Sequence, residues 1–259
     1  MLEGNHNGFV WRARSTYKNA ATYRTPVERV YNSAFNEFNN EGFIGLNKKW
    51  GYSHLHVSRW NANIGLVEGE RDSATGKFVD AAGNIVSDDD LKSRKLFLPN
   101  QNIRHTKLSS VNSFFMGSSS LKLNLGYQHN DRREFEDDEN NPALFFHLVT
   151  GTYDVKYYLP EYKNMQTVFG VQGMNQQNRN RGEEYLIPEY ELNDGGVFIS
   201  AKKSTEKYTL NAGVRYDARN IKSKQQLVEG EELFQPFTST FQAVTGSVGS
   251  TYKISKVFM

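Results

Sequence analysis

A chain of 259 residues with no cysteine, a formal net charge of +2 and a mean hydropathy of −0.67 excludes several classes at once. Without cysteine there is no disulfide scaffold and no thiolate metal site. The near-balanced charge leaves no basic excess to neutralise phosphates, so no nucleic-acid partner is expected. No segment approaches the ~18–20 continuous apolar residues of a membrane helix, and residues 1–8 lack the apolar region of a signal peptide. A β-barrel escapes this exclusion, because half of each strand faces a polar lumen and long polar loops lower the average.

In chain order, the first clear element is residues 9–18. Phe9, Trp11, Ala13 and Tyr17 fall on one face and Arg12, Arg14, Thr16 and Lys18 on the other, the period of a strand. Less regular strands are predicted at 31–50, 53–64 and 101–116. Residues 120–131 alternate cleanly again, with Leu121, Leu123, Leu125 and Tyr127 against Lys122, Asn124, Gly126 and Gln128. Strands at 144–159, 164–176 and 196–204 follow. Residues 207–219 are the best case, with Tyr208, Leu210, Ala212, Val214, Tyr216 and Ala218 opposite Thr209, Asn211, Gly213, Arg215, Asp217 and Arg219. A last strand is predicted at 237–252. This makes roughly ten strands, many reaching the ~9–11 residues that cross a tilted bilayer, whereas strands of soluble proteins are commonly about 5–6 residues long.

The connections alternate as well. Tight turns rich in turn formers fall at 50–52, 117–119, 160–163 and 205–206, and long polar connections at 19–30, 65–100, 132–142, 178–195 and 220–236. Short periplasmic turns facing longer extracellular loops are the rhythm of a bacterial barrel. Aromatic residues gather at strand ends (Trp50, Tyr52, Trp60, Phe114, Phe115, Phe145, Phe146, Tyr157, Tyr158, Phe237, Phe241), where interfacial girdles would place them, although aromatics suit any strand.

Several local signals have a plain and a sharper reading. Asp72–Gly76 and Asp80–Asn84 are turn clusters, with a small hairpin as the further expectation, and the first lacks the ligand pattern of a calcium loop. Asp88, Asp89 and Asp90 before Leu91–Lys95 suit the N-cap and acidic first turn of a short surface helix. The run Glu134, Glu136, Asp137, Asp138 and Glu139 reads as a hydrated loop tip rather than a divalent-cation site. Among six histidines, His54 and His56 share a strand face, a spacing open to a metal but equally expected of polar lumen residues, the preferred reading. No nucleophile elbow, HExxH, phosphate loop or dinucleotide fingerprint occurs.

Specific residues then add to the periodicity. Tyr23-Arg-Thr-Pro26, Asn32-Ser-Ala-Phe35-Asn-Glu37, Gly45, Lys49-Trp50-Gly51, Ser58-Arg59 and Gly65-Leu66 resemble the barrel of TonB-dependent receptors of the iron-complex type. So do Leu98-Pro99-Asn-Gln101-Asn-Ile103-Arg-His105, Leu125-Gly-Tyr127 through Phe135, and Asn178-Arg-Asn-Arg-Gly182 through Tyr190 with Asp194-Gly195. The likeness spans nearly the whole chain and is nearest to members from the Bacteroidetes group. It implies a barrel of about 22 strands around an N-terminal plug, an energy-coupling partner in the inner membrane, and uptake of a scarce large ligand such as a ferric siderophore, haem or cobalamin.

The expectation is therefore all-β: an antiparallel up-and-down transmembrane β-barrel, partial, with residues 1–259 forming one piece of a larger barrel whose plug and remaining strands lie elsewhere. The expected setting is the bacterial outer membrane, in contact with its lipid, with a large anionic ligand or metal chelate as cargo. Neither a cofactor nor a bound metal is expected, and no enzymatic activity. Arg132, Arg133, Arg179 and Arg181 are the candidate ligand-binding residues on the extracellular side, because a guanidinium fork suits carboxylate, catecholate or phosphate oxygens. Two other readings stand beside this one. A complete ten-stranded outer-membrane protease would need a His–Asp pair at the strand ends, for which His129 and Asp131 are the nearest candidates. A passive porin is the second.

Overall fold

In the computed structural model, which describes residues 1–228 and 230–254, the alternating segments become one antiparallel sheet of eleven strands. In chain order these are β1 (Leu2–His6), β2 (Phe9–Ala20), β3 (Phe35–Lys48), β4 (Gly51–Gly65), β5 (Asn100–Met116), β6 (Ser119–Phe135), β7 (Leu144–Tyr158), β8 (Met165–Asn180), β9 (Tyr190–Ser204), β10 (Tyr208–Ser223) and, after a small hairpin of β11 (Gln226–Val228) and β12 (Glu231–Phe234), β13 (Thr238–Tyr252). Every strand of the large sheet pairs with its predecessor in the chain, β13 pairing with β10 across the hairpin. The up-and-down topology is thus the predicted one, and the sheet is open: β1 and β13 each have a single neighbour.

All ten predicted strands are present, and the differences have local causes. β1 was not predicted; it is folded back by Asn7 and Gly8, both at positive φ (49° and 85°). Asn-Gly at a two-residue turn is the strongest short-range hairpin signal, since both central residues of the favoured turn need positive φ. β6, β8, β9 and β10 run several residues further toward the long loops than predicted, because polar residues there pair their backbones as well as apolar ones do. The β10–β13 connection also holds the unpredicted β11–β12 hairpin.

Residues opposite each other in an antiparallel ladder share a face, so the registers trace continuous rows. One row runs Phe9, Leu46, Ser53, Asn112, Leu123, Val155, Val171, Val197, Tyr216, Val244. The neighbouring row on the opposite face includes Arg12, Phe43, His56, Ser109, Gly126, Thr152, Met174, Asp194 and Arg219. No register shift interrupts these ladders, so the faces never exchange. On β10 the apolar stretch from Tyr208 to Ala218 spans roughly 24 Å of height at a ~45° tilt, which matches the apolar band of about 25 Å on a membrane barrel.

The apolar face is left in contact with solvent: Phe169, Val171, Val197, Val214 and Tyr216 all stay exposed. A polar exception in this band proves instructive. Asn112 is buried, accepts a hydrogen bond from Ser53 Oγ (2.5 Å) and donates to Ser110 Oγ (2.8 Å) and the Leu123 carbonyl (3.0 Å), so its polar atoms need nothing from the surroundings. Alternation also corrects the aromatic girdle. Of each predicted doublet one ring goes to each face: Phe114, Phe145 and Tyr157 lie on the apolar face, and Phe115, Phe146 and Tyr158 on the polar one.

The one buried apolar cluster among the described residues lies in the loops. Tyr31, Phe78 and Val86 pack together with Val30, Leu91 and Phe97, joining the β2–β3 connection to the β4–β5 connection. Asn32 stitches the two: its Nδ2 donates to Leu66 O (3.0 Å) and Pro99 O (2.6 Å), and its Oδ1 accepts from Phe97 N (3.2 Å). Arg71 pairs with Glu28 and lies 4.0 Å over the Phe78 ring. Both turn clusters close by side-chain caps, Asp72 accepting from Thr75 N (2.7 Å) and Asp80 from Asn84 N (2.8 Å). The Thr75 hydroxyl together with its amide holds the Asp72 carboxyl below the usual range, and the Asn84 amide does the same for Asp80. The predicted helix is only a 3₁₀ turn, Asp90–Lys92, with Asp89 at its N-cap position and Asp90 in its first turn as expected; Asp89 makes no side-chain capping hydrogen bond, and Ser87 Oγ instead accepts from Asp90 N (3.1 Å).

Candidate ligand-facing wall and loop rim

The polar face carries much of the wall's charge, paired both between neighbouring strands and along single strands. Lys18–Glu37 and Lys156–Asp154 are both 3.0 Å apart, Arg219–Asp194 is 2.7 Å, and Arg215 pairs with Asp217 while lying 5.8 Å over the Phe198 ring. Toward β2–β5 the same face forms a depression of about 300 Å³ lined by Arg12, Glu41, Phe43, His56, Lys107 and Ser109. Phe43 is its hub, with His56 at 4.5 Å, His54 at 5.2 Å and Arg12 at 5.8 Å from the ring. His54 Nε2 donates a hydrogen bond to Asn47 Oδ1 (2.8 Å), so the two histidines serve a polar, aromatic surface.

The four predicted arginines do not converge. Arg132 stands on the polar face near the loop end of β6, between Ile103 and Phe146 in register, exposed and without an ion pair to any described residue. Arg133 and Arg179 lie on the opposite face. Arg133 sits 4.5 Å over the Phe145 ring, and Arg181, from the loop after β8, reaches the same ring at 5.9 Å. Arg179 is held between Glu189 (3.3 Å) and Glu191 (2.8 Å), and Glu189 also pairs with Lys224 (3.3 Å).

Above the apolar band, that opposite face changes character. Asn36, Asn63 and Asn102 form a hydrogen-bonded ladder across β3–β5, and His129, Asp131 and His147 meet across β6 and β7. At the rim, Asp138 accepts from Asn140 N and from Asn141 Nδ2, both at 2.8 Å, which lowers its pKa. Glu136 is pushed up, first by partial burial and then by Glu184, Glu134, Asp137 and Glu68. The acidic run is therefore a set of loop caps and mutually repelling carboxylates drawn from three connections.

Against known families, residues 3–259 match the model of the TonB-dependent receptor-like β-barrel. The chain belongs to that family. Its polar face is accordingly the lumen side and its apolar face the lipid side of a barrel wall. Members of this family are transporters and receptors and not enzymes, so the protease alternative falls; its proposed His129–Asp131 pair sits on the outward face of an open eleven-stranded sheet.

Solved structures agree in fold. The FrpB iron transporter from Neisseria meningitidis superposes with a TM-score of 0.70 at 14% identity, covering 98% of this chain and 41% of that one. The copper transporter OprC gives 0.70 at 12% identity, with coverages of 98% and 40%. The ferric yersiniabactin uptake receptor FyuA from Yersinia pestis gives 0.57 at 11%, with 98% and 42%. The chain thus spans about two fifths of the length of these structures. A comparison with curated protein sequences returns no significant match.

Proposed function

We propose that this chain is the ligand-facing wall of an energy-coupled receptor in the bacterial outer membrane, which imports a large metal chelate such as a ferric siderophore, haem or cobalamin. The observation that carries this reading is the unbroken separation of faces over ten long strands, which gives one apolar surface suited to lipid and one charged surface suited to a solute path. The named cargo of the similar solved structures, iron, copper and ferric yersiniabactin, supports a metal-bearing ligand. A plug and an inner-membrane energy-coupling partner, as in other receptors of this family, would complete the machine. Among the four arginines, Arg132 is the best placed for an anionic cargo, since it faces the lumen uncompensated beside Phe146; Arg181 follows as an exposed rim residue. Arg133 and Arg179 serve this role only through the rim, as both lie on the outward face.

The test is accumulation of radiolabelled ferric chelates by iron-starved cells that carry the full natural polypeptide. Accumulation should stop when a protonophore collapses the inner-membrane gradient or when the polypeptide is deleted. Ion conductance through the purified protein with no chelate accumulation would replace this reading with a passive pore.

A further inference from the structure

Three ligand-type atoms converge on the outward face where β6 and β7 rise above the apolar band. Asp131 Oδ1 lies 3.2 Å from His129 Nε2 and 2.7 Å from His147 Nδ1, and the two nitrogens are 3.2 Å apart. Register explains the meeting: His129 and Asp131 are two apart on β6, and His147 is directly opposite Asp131 on β7. The imidazole rings stand edge to face, 4.6 Å between centroids at 65°. All three side chains are partly buried, with Asp131 the least exposed at 15%.

A point about 2.1 Å from each of these atoms, the usual length of a metal–imidazole or metal–carboxylate bond, lies roughly 1 Å above their plane. From there the three atoms subtend angles of about 80–100°. That is one face of an octahedron, the two-histidine, one-carboxylate arrangement that leaves other positions open. From the structure we propose that His129, Asp131 and His147 bind a divalent first-row transition-metal ion on the outside of the barrel wall, apart from the solute path. Mixed imidazole and carboxylate donors select zinc, copper or nickel over calcium or magnesium, which prefer all-oxygen sets. Arg133 approaches the other carboxylate oxygen at 3.9 Å, leaving Oδ1 to the histidines, and Arg104 is opposite Asp131 on β5. Tyr127 lies one step below His129 on the same face, a ring of the kind that suits the membrane interface. A metal there would clamp β6 to β7 and could accept an external oxygen ligand.

The experiment uses the full natural polypeptide in detergent micelles, titrated with Zn²⁺ by calorimetry and with Cu²⁺ followed by electron paramagnetic resonance. The expected result is one site per chain whose copper spectrum shows nitrogen splitting from two imidazoles. His129→Gln and His147→Gln should each weaken binding at least about tenfold and leave one nitrogen, and Asp131→Asn should weaken it about tenfold while keeping both. Heat-shifted mobility on a gel confirms that each variant folds. Should a variant not fold, footprinting of the native protein with diethyl pyrocarbonate decides, since Zn²⁺ must protect His129 and His147 selectively. Binding that is unchanged in the three variants, or no Zn²⁺ protection of these two rings, would show a hydrogen-bonded cluster only and overturn the site. Chelate uptake is read separately, so loss of either proposal leaves the other standing.

Discussion

Asn32 shows how much of the loop structure rests on one side chain. It sits at a positive φ of 52°, is 2% exposed, and satisfies three backbone groups from another connection. Asn32→Ala strands those groups and should cost the loop module about 2 kcal/mol. Faster hydrogen exchange at residues 66–99, with the strands unchanged, is the readout. Beside it, burial and the charges of Asp80 and Asp90 push Tyr31 up to about 12. The folded state holds this proton more tightly than the unfolded chain, whose phenol ionises near 10. The stabilisation is therefore complete below about pH 10 and lost as pH rises towards 12. An ultraviolet titration should show one late-ionising tyrosine that Tyr31→Phe removes, together with the alkaline opening of the loops. Arg132 has no described counter-ion, so Arg132→Ala should weaken an anionic chelate by about tenfold, the value of one charge-assisted hydrogen bond, with folding unaffected; equal affinity in a chelate-binding titration would take Arg132 off the ligand path.

At the scale of the strand, the two faces make opposite demands. Val171 lies in the apolar row and its neighbour Gln172 on the lumen face beside Arg215. Val171→Arg places a guanidinium in lipid near mid-height and should cost about 2–4 kcal/mol. Gln172→Arg adds a charge to an already charged, watered surface and should cost less than about 1 kcal/mol. Urea unfolding of the full natural polypeptide in phospholipid vesicles compares them directly. Similar costs at both positions would mean that the two faces do not differ in environment, and a larger cost at Gln172 would mean that they have been assigned the wrong way round. The same period-two logic explains what could be read in advance. Leu121, Leu123 and Leu125 mark a strand because lipid demands an apolar side chain at every second position, but nothing in a local window shows where polar pairing stops, which is why β6 and β9 ran past their predicted ends.

For the molecule as a whole, the open edges are the main physical fact. Among the described residues, β1 and β13 each leave one line of N–H and C=O groups without a strand partner, and β13 is exposed along almost its whole length. Unpaired backbone groups in lipid cost several kcal/mol each, so this wall is stable in a membrane only where another strand covers those edges. Hydrogen exchange on residues 1–259 should find the β13 amides that face away from β10 unprotected. Protection of these amides would mean that this chain pairs its own edges, with itself or a second copy.

Periodicity and turn chemistry determined the strands, their alternation of faces and the short and long connections, because each is a local consequence of pleat and turn geometry. The family resemblance was legible as well, in motifs strung along the chain. The convergence of groups was not. His147 joins His129 and Asp131 only through the β6–β7 register. Tyr31 and Phe78 meet only because two loops close over the same strand ends. Arg132 and Arg133, adjacent in sequence, face opposite sides of the wall. Register and loop closure are settled by many contacts at once between segments far apart in the chain, so they belong to the tertiary structure and not to any stretch of sequence.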